Sequence, residues 1–337
     1  MANALQFVLF IGIALYGTVV QSAMAVDSLF QVDFSEITNG GCRNLGKDKA
    51  QRFIREAETM AEVGLQLADD YGLKEEATRL MNAFMGGELF QGEIRRVKSR
   101  YSGVLDFLKT GFGESGTDRP YLFCQHTWLK KKKMTDDAFD AEGNTFKADP
   151  EAERNVKIQD VEKYRLQQSQ AFGDTPYWSV PHKAYLFDIS YRGGGICAEQ
   201  GSRAVTSDLL KPPSITLCPR SWGANRNLGG INVKPIKSEK IPKEPGTIPS
   251  GAQRLDAILP TSITLFHELF HLVLRAETVP PDGEEYDIIQ MGKMGKAAAL
   301  MNPETYAVIA AAYHYTLNVE PVDDKRVEFY AFFATRG

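Results

Sequence analysis

The stretch "TLFHELFHLV", residues 264–273, sets His267, Glu268 and His271 into one of the most apolar segments of the chain. Burying three titratable side chains among Leu, Phe and Val costs free energy unless each finds a partner, so their spacing is the informative feature. Positions four apart on a helix lie on one face, so His267 and His271 present two imidazoles to a common point with Glu268 beside them. This is the HExxH arrangement of a catalytic zinc site. Neutral imidazoles supply two of three protein ligands, a fourth position stays open for water, and the Glu accepts that water's proton. The spacing predicts Zn2+ at His267 and His271, with Glu268 as general base.

The third ligand must come from elsewhere. The metzincin pattern needs Gly at 274 and His at 277, which here are Leu274 and Glu277, and it fails. A gluzincin would use a Glu on a following helix, where Glu304 stands in reach; the alternative reading of Glu304 is charge complementarity at a helix start. A further option is the acidic loop "PPDGEEYDI", residues 280–288.

Outward from this segment, 337 residues with 43% hydrophobic and 24% charged content allow one large domain or two modest ones with a sizeable core. A net charge of -4 and a pI near 5.8 argue against a nucleic-acid partner, because such proteins carry a clustered basic face. The only basic run, residues 130–133, is followed at once by Asp136, Asp137, Asp140 and Glu142, and reads as a solvated loop.

Residues 1–25 carry no charged side chain, hold an apolar run from Phe7 to Val20, and end in Ala23-Met24-Ala25. That pattern reads as a signal peptide cut before Val26, leaving a secreted, extracellular product with no membrane attachment. Cys42, Cys124, Cys197 and Cys218 all lie beyond the cut, and an even count in an exported chain predicts two disulfides. Three pairings are possible; proximity along the chain favours Cys197 with Cys218, leaving Cys42 for Cys124.

Helical periodicity marks residues 47–70, 74–85 and 92–109, and a glycine-rich break at 111–120 separates them from short β-prone runs at 121–124, 184–189 and 214–218. A Pro- and Lys-rich exposed loop is expected over 234–251, and a last long helix starts at Asn302-Pro303-Glu304, with Asn302 as cap. Tyr306, Tyr313 and Tyr315 should be core, and His126, His182 and His314, lacking metal-like spacing, packed or surface residues. The reading is α+β: an N-terminal helical region over 26–115, then a catalytic domain over 116–337 with a small twisted sheet, the HExxH helix and a final helix beneath it.

"HELFHLVL" followed by an acidic loop ending in Tyr286 and by "NPETYAVIAAAY" resembles the aspzincin family of fungal metalloendopeptidases, which includes deuterolysin and the peptidyl-Lys metalloendopeptidases. "SITLCPRSW", residues 214–222, resembles the Cys-bearing strand and loop upstream of the zinc helix in that family. The match is close over 261–315 and loose from about 121 onward. The resemblance implies a zincin-like fold, a secreted zinc endopeptidase acting on polypeptide substrates, and Tyr286 as oxyanion stabiliser. The family loop reads GTxDxxYG with Asp as third ligand, whereas here no Asp lies three residues before the Tyr. If Tyr286 points at the metal, alternation along an extended segment turns Glu284 and Asp282 the same way and Glu285 and Asp287 away. Glu284, beside the Tyr, is the expected ligand and Asp282 the second choice. Two other functions stay open: an inactive secreted binding protein on the same fold, and a zinc hydrolase of a non-peptide amide or ester.

Overall fold

A computed structural model describes residues 23–112, 119–148, 154–170, 175–187, 195–198, 202–224, 226–229, 253–321, 326–330 and 332–336. The fold is mixed α+β. Ten α-helices are found among the described residues: α1 (Val26–Leu29), α2 (Lys47–Asp70), α3 (Glu75–Phe84), α4 (Gln91–Thr110), α5 (Glu162–Gln170), α6 (Pro219–Trp222), α7 (Ile263–Leu274), α8 (Ile288–Met291), α9 (Lys296–Ala299) and α10 (Pro303–Asn318). The expected loop over 234–251 and the apolar run at the N-terminus lie outside the described residues. Among the described residues no helix is long and apolar enough to cross a membrane.

Apolar side chains ring α10 instead of striping it, and a helix apolar all round belongs inside. Accordingly Tyr306, Tyr313 and Tyr315 are fully buried along it, as expected. Each phenol has an acceptor: Tyr306 donates to the Leu300 carbonyl, Tyr313 to Asp70 and Tyr315 to the Ile258 carbonyl. The amphipathic α2 and α3, the HExxH helix α7 and strand β8 (Val327–Tyr330) pack around α10. Gly64 on α2 allows the closest approach of α2 to α4, since a Cβ there would meet the Tyr101 ring at 2.2 Å.

Tyr101 on α4 stacks edge-on against Phe270 of α7 and Tyr306 of α10, and its hydroxyl donates to the Tyr306 carbonyl at 2.8 Å. One hydrophobic cluster thus runs from Val26 to Ala334, through both expected regions. The boundary near residue 115 therefore falls inside a single packed unit. Helices α2 and α4, which precede it, form part of the bed on which α7 lies.

One small sheet was expected; the described residues form three, each with three strands. The first joins β1 (Tyr121–Phe123) parallel to β6 (Ser214–Leu217), which pairs antiparallel with β5 (Ala204–Ser207). The second is antiparallel: β2 (Leu129–Lys131), β3 (Tyr177–Ser179) and β4 (Ala184–Leu186). In the third, β7 (Gln253–Arg254) pairs with β9 (Phe333–Arg336), which forms an antiparallel pair with β8. The expected strands at 121 and 214 share a sheet, but the one at 184 belongs to another, and its expected end at 188–189 lies outside the described residues. Strands of three or four residues carry too little alternation to be seen in sequence, and only neighbouring strands define them.

Both expected disulfides are present, Cys42–Cys124 and Cys197–Cys218, with no free cysteine. The first ties the segment before α2 to the end of β1, the second holds the end of β6. They close loops of 82 and 21 residues, and each is worth about 3–5 kcal/mol through restriction of the unfolded chain.

Candidate metal centre

The segment 263–274 is helical because its apolar residues face α4, α10 and β5 at once, and that packing outweighs the missing side-chain cap at Ser262. Within it His267 and Glu268 are buried, at 3% and 5% exposure. The Nε2 atoms of His267 and His271 lie 3.2 Å apart.

Glu284 closes the triangle: one carboxylate oxygen is 3.2 Å from His267 Nε2 and the other 3.0 Å from His271 Nε2. His267, His271 and Glu284 are the group among the described residues whose donor atoms could surround one cation. Tetrahedral zinc with bonds of about 2.0–2.2 Å separates its donors by about 3.3–3.6 Å, so this triangle fits within a few tenths of an ångström. Two imidazoles and a carboxylate are also a hydrolytic zinc donor set.

Each imidazole is fixed by its other nitrogen. His267 Nδ1 lies 2.9 Å from Glu304 Oε2, an acceptor, so Nδ1 carries a hydrogen and Nε2 is the nitrogen turned to Glu284 and His271. His271 Nδ1 lies 3.3 Å from Thr278 Oγ1, whose own hydrogen is donated to the Arg275 carbonyl at 2.8 Å. That hydroxyl therefore accepts from His271, and Nε2 of His271 is also left free to bind. The turn bringing Thr278 back depends on Arg275 at φ +51, a left-handed conformation uncommon outside glycine. Arg100 of α4 holds the same turn, donating to the Glu277 carbonyl at 2.6 Å.

Glu304 is thus neither a candidate third ligand nor only a charge at a helix start: its carboxylate orients His267. Asp282 is exposed and outside the triangle, because Gly283 at φ +88 breaks the extended run before it. Alternation holds beyond the glycine. Tyr286 donates its hydroxyl to Glu284 Oε2, and its ring stacks on His267 at 5.5 Å between centroids. The side chains of Glu285 and Asp287 turn to the backbone: Glu285 accepts from the Asp287 N–H, and Asp287 caps α8 by accepting from the Ile289 and Gln290 N–H groups.

Asn302 departs from its expected role. It occupies the cap position of α10 without a side-chain cap bond. Fully buried, its amide accepts from the Glu285 N–H at 3.3 Å and donates to the Glu285 carbonyl at 3.0 Å. This pair clamps the residue between Glu284 and Tyr286. Its sequence signal, Asn before Pro-Glu, is the same as for a helix cap, so only tertiary placement distinguishes the two. Asn302→Ala is expected to loosen the acidic loop and lower zinc affinity by about 10–100-fold, the usual effect of removing an outer-shell partner. A competition titration against a chelator measures it; unchanged affinity would remove Asn302 from the site.

Glu268 leaves α7 beside the triangle. Thr206 of β5 donates to Glu268 Oε2 at 2.6 Å. Burial raises the Glu268 pKa above the ordinary carboxylate range, opposed by His267, His271 and the Thr206 hydroxyl. Burial disfavours a charged His267, but bonds to Glu284 and Glu304 outweigh it and bring its pKa up to about 10. Glu284 is pulled well below the ordinary range against its own burial, by bonds to the two imidazoles. The cluster stabilises positive charge at its centre.

A cleft of about 390 Å³ opens onto these groups, lined by Val205, Thr206, Glu268, His271, Glu284 and Tyr286 among others. Among the described residues none of the other histidines joins them: His182 is enclosed by Tyr121, Phe123 and Trp128, with its ring nitrogens at Ser179 and the Pro212 carbonyl. His126 packs against Gly195, and His314 lies near Asn318. Compared with models of known families, with curated proteins and with solved structures, the chain matches none.

Proposed function

We propose that the protein is an exported zinc endopeptidase with a zincin-like active site. The observation that carries this reading is the near-equilateral arrangement of His267 Nε2, His271 Nε2 and Glu284, with both imidazoles oriented by acceptors on Nδ1 and Glu268 in the same cleft. His267, His271 and Glu284 would hold Zn2+, which would supply Lewis acidity and lower the pKa of water there.

The chain's own residues supply the rest. Glu268 accepts the proton of the attacking water on a carboxylate that the Thr206 hydroxyl keeps oriented and favours in its ionised form. It later returns that proton to the leaving amine. Tyr286, hydrogen-bonded to Glu284 in this structure, has a phenolic donor at the mouth of the cleft that can turn to the developing oxyanion.

A peptide is favoured over a small ester or amide because β5, at the edge of its sheet among the described residues, lines the cleft. An extended substrate can add to that edge by main-chain hydrogen bonds, which places a scissile carbonyl over the floor of the site. Export agrees with two disulfides and with the charge-free N-terminal segment.

The test is metal content together with cleavage of casein. About one equivalent of zinc is expected in the purified protein, with cleavage lost on chelation and restored by zinc. Casein left intact by the zinc-loaded protein, or cut equally fast after chelation, would overturn the reading.

A further inference from the structure

The residues just before α1 are built into the body of the protein. Ala23 donates its N–H to Glu58 Oε2 of α2 at 2.8 Å. The Met24 N–H donates to the Leu108 carbonyl at 3.2 Å, and the Met24 carbonyl accepts from Gln51 Nε2 at 3.2 Å. The Ala25 carbonyl accepts from the Ser28 and Leu29 N–H groups at 2.8 and 3.1 Å, which starts α1. Ala23 and Met24 also pack against the main hydrophobic cluster.

A cut before Val26, as the Ala-x-Ala reading places it, would remove all of these bonds. It would also place the new ammonium at Gln51 Oε1, which accepts from the Val26 N–H at 2.8 Å, with no carboxylate bonded there among the described residues.

Three residues earlier the chemistry is complementary. Glu58 Oε1 is buried with no hydrogen-bond partner. Lys109, the cation of α4 that acts on Glu58, is already bonded to Glu62 at 2.8 Å. Glu58 thus lacks a bonded cation among the described residues, and the hydrogen bond its carboxylate accepts there is from the N–H of Ala23. An ammonium in place of that amide has three donors and can serve both carboxylate oxygens, a charge-assisted pair in a partly buried setting. In sequence, Val20, the last residue of the apolar run, and Ser22 are short side chains at the two places a signal peptidase reads.

We infer that export processing cuts between Ser22 and Ala23, and that the α-ammonium released at Ala23 forms an ion pair with Glu58 that anchors the mature N-terminus on α2. Water is consumed across the Ser22–Ala23 peptide bond, leaving a carboxylate on Ser22 in the released leader and the ammonium on Ala23. Residues 23–25 then belong to the folded protein.

The test is N-terminal sequencing and intact mass of the full chain expressed through a secretory pathway, followed by thermal unfolding of the Glu58→Gln protein. The expected first residues are Ala-Met-Ala-Val, and Glu58→Gln, close in shape but uncharged, is expected to lower Tm by a few degrees. A product beginning at Val26, or one retaining residues 1–22, would overturn the assignment. Ala23 as first residue with a Tm unmoved by Glu58→Gln would overturn the ion pair. Neither readout depends on protease activity.

Discussion

Glu268→Gln is expected to leave the protein folded and zinc-loaded while slowing peptide cleavage by about 10²–10⁴-fold, the usual contribution of a general base. Gln keeps the volume of a side chain that is only 5% exposed, and its amide oxygen can still accept from the Thr206 hydroxyl. What disappears is the capacity to take a proton. The loss should therefore fall on kcat and on kcat/KM together, with KM little changed, because proton transfer is an interaction of the transition state. His267→Ala gives the contrast, losing the metal along with activity. A Glu268→Gln protein that cleaved at the wild-type rate would remove Glu268 from the chemistry and leave the triangle without a hydrolytic role.

Glu284→Ala is expected to abolish stoichiometric zinc binding, whereas Asp282→Ala leaves it unchanged and Glu304→Gln weakens it by about 10–100-fold. The ordering follows from position. Glu284 faces both Nε2 atoms at 3.2 and 3.0 Å, and without it two imidazoles remain, fewer than a catalytic zinc site uses. Glu304 sits on the far nitrogen of His267 at 2.9 Å, so its loss frees the ring to reorient without removing a donor. Asp282 is exposed, beyond the turn at Gly283. Zinc content by elemental analysis and affinity by chelator competition separate the three. Equal effects of Glu284→Ala and Asp282→Ala, or a larger one for Asp282, would move the ligand and refute the geometry.

Much of the metal cluster was legible in the linear order of residues, because its geometry is mostly local. A spacing of four on a helix brings His267 and His271 together wherever that helix lies. The pairing of Glu284 with Tyr286 follows from alternation over three extended residues. Asp282 shows the limit of that rule: one left-handed glycine ends the alternation, and Gly283 gives no sign in sequence of which conformation it takes. The helices α2, α3 and α4 were visible within one or two residues, their apolar spacing being repeated over several turns, and the start of α10 was marked by Asn302-Pro303-Glu304. Strands β2, β3, β5, β8 and β9 were not, since three or four residues define a strand only once a neighbour is present.

Other roles were fixed by contacts that span the chain. Asn302 reads as a helix cap, Glu304 as a dipole charge, and Thr206 has no reading in sequence; their partners lie 17, 37 and 62 residues away. The same holds for the region before residue 115, where the break in pattern looked like a boundary although Tyr101 and Arg100 pack into the bed of the HExxH helix and the turn that follows it. The sequence by itself determined which groups could bind a metal, because local backbone periodicity sets their directions. Only the tertiary structure decided which carboxylate faces both imidazoles, which orients one of them and which caps a helix, because those placements depend on distances between segments that hydrophobic packing, with no local signature, brings together.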